Sequence, residues 1–210
     1  FLELWNNVFI QYNRLSPTEL EPLPAKHVDT GMGFERIVSL LQGVTSNYRT
    51  DLLWPLILQT QKLTGHSDLQ REENFTPYRV IADHARAAAF LIADGVVPGN
   101  TGRNYICRMI IRRAARFGGK LGLREPFLAQ VAAKVVEGYG DFYPELVKHQ
   151  EAIADNLTRE EKRFARTIES GTAHLQGMLD ELKASGKLLL DGRLAFDLYA
   201  ADGSLLLSRG

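Results

Sequence analysis

The chain has 210 residues, 25 of them basic and 25 acidic, with 45% hydrophobic and 24% charged side chains. That length suits one large or two small domains, and the zero net charge means that any affinity for nucleic acid must come from local clustering. The single cysteine, Cys107, excludes a disulfide framework and fits a reducing, cytoplasmic compartment, while no apolar run approaches the ~20 residues of a membrane span.

The first residues, FLELWNNVF, read as the middle of a strand, without initiator methionine, signal or transit segment, and suggest a piece of a longer protein. Residues 1–12 alternate apolar and polar around Leu2, Leu4, Val8 and Ile10, which predicts a sheet strand. SPTELEPLP (16–24), with three prolines, predicts a connection, and a short strand at 25–29 leads into Gly31 and Gly33. Phe34, Ile37, Val38, Leu40 and Leu41 keep helical spacing up to Gly43. Beyond, the pattern is helical: one helix over 49–64 ended by Gly65, a polar loop over 70–77, and an alanine-rich buried helix over 78–95 with Pro77 near its start. A tight loop at 96–102 precedes helices at 103–118 and 125–137. One or two long helices follow over 141–184, with Phe164, Ile168, Leu175, Leu179 and Leu182 along a stripe. No fixed-period repeat appears. The expected architecture is mainly α, a strand-containing segment followed by a helical domain, with a boundary near residue 46.

Three stretches could carry chemistry. In VDTGMGFER (28–36), glycines let a ligand approach the backbone, and the following helix offers free N–H groups and a positive dipole end. Arg36 could clamp a phosphate or stack on a flat ring, and Asp29 suits an ammonium group. A structural strand–turn–helix, with Asp29 near an N-cap, explains the same residues. In FLELWNNVFIQYNR, alternation puts Glu3 and Asn7 on one face and Asn6 on the other. Glu3 could hold magnesium, which prefers oxygen ligands, or be an exposed acid on an edge strand. GRNYICRMIIRRAARFGGKLGLR (102–124) holds Arg103, Arg108, Arg112, Arg113, Arg116, Lys120 and Arg124 and no acid. Such a run favours a polyanion over a mixed-sign solvated face, the alternative being a helix whose acidic partners lie elsewhere. Asn100, in the loop ahead of it, has both a donor and an acceptor for reading a base edge, but beside Gly99 it could equally be a turn former. The five histidines are scattered without metal-ligand spacing. Asp83 in ADHARA is expected to pair with Arg79 four residues earlier, and His84 to be a packed helix residue.

Taken together, ELWNNVFIQ, VDTGMGFER, RVIADHAR, FLIADGVVP and RNYICRMIIRR, in this order, resemble the alanyl-tRNA synthetase family of class II aminoacyl-tRNA synthetases. The resemblance implies that residues 1–45 are the end of an antiparallel-sheet aminoacylation domain carrying motif 3, and residues 46–210 a helical tRNA-recognition domain. It implies contacts of Arg36, Gly33 and Glu3 with ATP and its Mg2+. It also implies alanine binding by Asp29, with Gly31 leaving room for the small side chain and Asn6 and Val8 bordering the pocket. In the helical part, Asn100 matches an asparagine that reads the G·U pair of the tRNA(Ala) acceptor stem, and Arg103, Arg108, Arg112, Arg113 and Arg116 would follow the phosphates. The partners implied are tRNA(Ala), ATP and L-alanine, with no membrane. The activity implied is alanine–tRNA ligation without a covalent enzyme intermediate, so no side chain is expected to act as a catalyst.

The chain also departs from the family pattern. Motifs 1 and 2 and the zinc-binding editing domain are not in it, so this piece alone is not expected to activate alanine, or to bind zinc. Asn104 stands in place of a family glycine. Ala200 occupies the position of an aspartate that partners the recognition asparagine, with Asp202 two residues on as its possible replacement. A non-catalytic tRNA-binding module is the alternative reading.

Overall fold

The computed structural model describes residues 2–186 and 189–196. The chain divides into two compact units, Phe1–Pro55 and Leu56–Gly210.

The first unit is built on an antiparallel hairpin of β1 (Trp5–Arg14) and β2 (Leu20–Met32), followed by α1 (Phe34–Leu41) and a 3₁₀ turn, Asn47–Arg49. β1 begins and ends later than the alternation suggested. β2 starts at Leu20 instead of residue 25, taking in Pro22 and Pro24. Two prolines spaced two apart share one parity along the strand, so both missing N–H groups can face the edge away from β1. The register runs from Trp5 opposite Met32 to Arg14 opposite Leu20, with an irregularity between Ile10 and Tyr12. Nearly every hairpin side chain is exposed. An isolated two-stranded ribbon has little to bury, so its own pairing is at most marginally stabilising.

The helix expected over 49–64 begins at Trp54 instead, as α2 (Trp54–Thr64). Pro55 supplies the reason: lacking an N–H, it fits a first helical turn but not an interior. The expected polar loop at 70–77 is also corrected, because Asp68–Glu73 form α3. Ser67 and Gln70 make a reciprocal capping box, with Gln70 N–H donating to Ser67 Oγ and Ser67 N–H to Gln70 Oε1. The S-x-x-Q spacing is a helix start that the polarity of the segment hid.

In the second unit, α4 (Phe75–Ala93) is the central helix, packing against α5 (Gly102–Lys120), α6 (Leu128–Tyr139), α7 (Pro144–Lys148) and α8 (Gln150–Ala184). Its alanines Ala82, Ala85, Ala88 and Ala89 are buried with Tyr78, Ile81 and Ile92, and their small size lets neighbouring helices come close. α5 contributes Cys107, Ile111, Ala114 and Gly118 at helical spacing, α6 Leu128, Val131 and Val135, and α8 Ile153, Leu157 and Phe164. Burial, and more weakly the charge of Glu160, push the Cys107 thiol up to about 11, which makes it a packing group rather than a nucleophile. The stripe expected along the last helix is graded: Phe164 is buried, Ile168, Leu175 and Leu182 are half-buried and Leu179 is exposed. Among the described residues no helix is long and apolar enough to cross a membrane.

Candidate functional site

In the first unit, the register decides which side chains meet. Asn6 lies opposite Gly31 and Val8 opposite Asp29. Cross-strand partners share a face and residues two apart share it too, so Asn6, Val8, Asp29 and Gly31 come together on one face of the hairpin. The opposite face holds Asn7, whose Oδ1 accepts from Trp5 Nε1 at 2.8 Å and from Thr30 Oγ1 at 3.1 Å. Asp29 Oδ1 accepts from the Thr30 N–H at 2.8 Å, and its carboxylate is exposed. Nothing lies within 4 Å of the point where a Cβ would sit on Gly31. The space over that residue is open.

Gly33 is used differently. Its N–H donates to Leu4 O at 3.0 Å, and it caps α1 with an ordinary φ of −77°. A Cβ there would stand 2.8 Å from Arg36 Cδ. Arg36 thus crosses directly over Gly33, and its Nη1 donates to the Glu3 carbonyl at 2.6 Å. That bond ties the residue ahead of β1 to the first turn of α1 and leaves the rest of an exposed guanidinium fork for a ligand. Glu3 precedes the strand, with its carboxylate exposed.

In the second unit, the loop between α4 and α5 carries Asn100. Asn104 holds this loop: its Nδ2 donates to Val97 O at 2.8 Å, and its backbone oxygen accepts from Gly99 N at 2.9 Å. The Asn104 side chain therefore has a structural use in holding this loop. Asn100 is exposed, and its Oδ1 accepts from Arg108 Nη1. Arg108 is itself buried, with Nε 3.2 Å from Glu160 Oε1 of α8; the geometry makes this an ion pair without a directed hydrogen bond. The same Glu160 oxygen accepts from Arg112 Nε at 2.7 Å, and the Arg112 guanidinium lies over the Phe164 ring at 5.3 Å.

The five arginines expected along phosphates therefore divide. Arg108 and Arg112 turn inward to Glu160; Arg103 and Arg113 are exposed, and Arg116 is half-buried. Asp83 bonds His84, not Arg79, with Nδ1 and Oδ2 2.8 Å apart, and Arg113 Nη1 lies 3.3 Å from His84 Nε2. A guanidinium only donates, so Nε2 is the acceptor and Nδ1 carries the proton. That hydrogen bond from His84, against some desolvation, holds the Asp83 carboxyl below the ordinary range. Asp202 and Ala200 lie outside the described residues.

A second group of cations was hidden in the sequence. Arg159, Lys162, Arg163 and Arg166 lie at i, i+3, i+4 and i+7 on α8, all exposed. They are interrupted by Glu160 and Glu161, so the stretch reads as an ordinary mixed-sign face. The fold separates the signs. Glu160 takes the α5 arginines, and Glu161 accepts from the N–H groups of Phe127 and Leu128 at 3.0–3.3 Å, capping the start of α6. Burial outweighs those bonds and pushes Glu161 up to about 7. Lys162 and Arg166, with Arg116 and Arg124, line a cleft of about 680 Å³ floored by Phe127, Phe164 and other apolar groups.

Comparison with known proteins gives a consistent result. The family model described as "tRNA synthetases class II (A)" matches residues 1–204. An alanine–tRNA ligase of Chloroflexus aurantiacus is 48% identical over 94% of the chain, and those of Methylobacillus flagellatus and Paraburkholderia xenovorans are each 47% identical over 97%. The chain spans 22–23% of the length of these relatives, under a quarter.

Proposed function

The chain belongs to the class II (A) tRNA synthetase family, and on that premise we propose that it is the part of an alanine–tRNA ligase that supplies motif 3 and acceptor-stem recognition. The parent reaction is ATP-dependent activation of L-alanine followed by transfer to tRNA(Ala). Residues 1–45, with the motif 3 hairpin, belong to the aminoacylation domain, and residues 46–210 to the tRNA-recognition domain.

At the hairpin, the Asp29 carboxylate takes the ammonium group of alanine, and the open space over Gly31, bordered by Asn6 and Val8, takes its methyl group. Arg36, held across Gly33, takes the nucleotide. Magnesium needs only one or two carboxylates when phosphates complete its shell, and Glu3 offers one exposed carboxylate beside the Arg36 anchor. Bound there, the ion would neutralise triphosphate charge. The chemistry asked of these residues is positioning, which can account for a large part of a rate enhancement without any covalent step.

In the second unit, Asn100 reads the base pair while exposed cations meet the phosphates. Those cations are Arg103 and Arg113 on α5 and the group on α8. Reading from the shallow groove is the physical option for an RNA duplex, whose deep groove excludes side chains. The observation that carries the reading is the exposed amide of Asn100 on a loop fixed by Asn104. The test is binding of this chain to a short acceptor-stem hairpin, with G·U and with G·C, over a salt series. A G·U preference that disappears in Asn100→Ala is expected. Equal binding to both with a steep salt slope would leave only a phosphate-binding module.

A further inference from the structure

We propose that Arg108 is a positioning residue for Asn100, anchored by Glu160 and holding the amide carbonyl so that the NH2 is the group presented to RNA. This deepens the acceptor-stem reading and rests on it.

An asparagine amide is close to symmetric in shape, and its terminal torsion is roughly two-fold. A free amide can offer either a donor or an acceptor to the same base edge, and so discriminates poorly. A guanidinium has five donors and no acceptor, so the atom that Arg108 Nη1 touches on Asn100 must be the oxygen. The assignment follows from chemistry and not from a choice of rotamer. Among the described residues the Asn100 nitrogen makes no hydrogen bond, and the residue is exposed. The presented group is thus a donor, and what it fits in a minor groove is an acceptor: a pyrimidine O2, a purine N3 or a ribose hydroxyl.

Arg108 can do this because it does not move freely itself. Its side chain is 9% exposed, against 5% for Glu160. The Glu160 carboxylate fixes the Nε side of the fork while Nη1 reaches the loop. Spanning two acceptors with one rigid group is what a guanidinium does and an ammonium does not. Asn104 completes the arrangement by tying the loop backbone to the start of α5. Arg108 consequently reports on specificity, although its place in an acid-free basic run suggests phosphate contact.

The experiment has an RNA-free arm and an RNA arm on this same chain. In the first, the Asn100 side-chain NH2 signal, identified by its loss in Asn100→Asp, is followed by NMR relaxation. It is expected to be restrained in the wild type and to become as mobile as a free surface asparagine in Arg108→Lys, which keeps the charge beside Glu160. An amide mobile in the wild type, or unchanged in Arg108→Lys, overturns the proposal. In the second arm, the G·U preference should fall severalfold toward unity in both Arg108→Lys and Asn100→Asp, with an unchanged salt slope in the charge-conserving Arg108→Lys. Preference retained in Arg108→Lys would make Arg108 a phosphate contact, and preference retained in Asn100→Asp would make the carbonyl the reading atom; either sinks the idea. Asn100→Asp, at an exposed position, keeps the RNA arm decisive if Arg108→Lys folds poorly. A restrained wild-type amide released in Arg108→Lys, in a chain without G·U preference, supports the hold on Asn100 and fails the acceptor-stem reading alone.

Discussion

Helices α5 and α8 carry opposite signatures in sequence and exchange them on folding. The run over 102–124 has seven cations and no acid; the stretch Thr158–Arg166 alternates acids with cations. By composition α5 is the polyanion-binding helix and α8 a salt-bridged surface. In the structure, two of the α5 arginines are consumed by Glu160, while Glu161 is consumed by the start of α6, leaving Arg159, Lys162, Arg163 and Arg166 outside without their neighbouring acids. A charge run describes what a helix carries, but the face on which each charge sits decides what a ligand meets.

The largest effect should come from breaking the inward half of this exchange. Glu160→Ala leaves two largely buried guanidiniums without their shared counter-charge, and removing one partner of a buried pair costs about 3–5 kcal/mol. Urea unfolding should show a loss of that order. A loss below about 1 kcal/mol would mean that Arg108 and Arg112 escape to water, and that α5 is closer to its sequence signature than to its folded one.

Glu161 sharpens the comparison by pH. Its folded value of about 7 lies above the roughly 4.3 of a free glutamate. Between these two values the folded chain keeps a proton that the unfolded chain has released. Stability from this group is therefore full below about pH 4, falls as pH rises through the window, and is flat above about 7. The whole drop is at most about 4 kcal/mol. Melting temperatures should decline from pH 5 to pH 8 in the wild type and decline less in Glu161→Gln, which keeps an acceptor for the α6 N–H groups. Parallel profiles for the two proteins would show that Glu161 is ionised in the folded state throughout.

Much of the architecture was legible because it rests on local rules. The buried alanine-rich helix, the helix closing at Gly43 and the paired strands follow from periodicity and glycine. The segments that differ from expectation carry competing signals: Pro22 and Pro24 argue against a strand that needs no N–H on its outer edge, Pro55 sits inside an apolar stretch with helical spacing, and the Ser67–Gln70 helix start lies in a polar segment. The VDTGMGFER stretch and Asn100 stand out as residues, while the grouping of Asp29 and Gly31 with Asn6 and Val8 is legible through the family resemblance and not from spacing. That Asn6 and Val8 meet Gly31 and Asp29 depends on the register, and that Arg108 serves Asn100 depends on a carboxylate 52 positions further along the chain. Spacing on one helix cannot show which face another helix will cover.

The smallest effect on stability tests the outward half. Lys162→Ala and Arg166→Ala remove exposed cations whose sequence neighbours Glu160 and Glu161 are engaged elsewhere, so each should change unfolding free energy by no more than about 0.5 kcal/mol. If these side chains meet phosphates, each loss should nevertheless lower the slope of log affinity against log salt by about 0.7–0.9 for RNA hairpin binding, and should do so equally for G·U and G·C stems. The combination matters more than either number: a group that carries no stability and no sequence preference, yet changes the salt slope, is acting on the backbone of the ligand. An unchanged slope in Lys162→Ala and Arg166→Ala, with a reduced slope in Arg103→Ala and Arg113→Ala, would return the phosphate track to α5 and leave the exposed face of α8 as solvated charge.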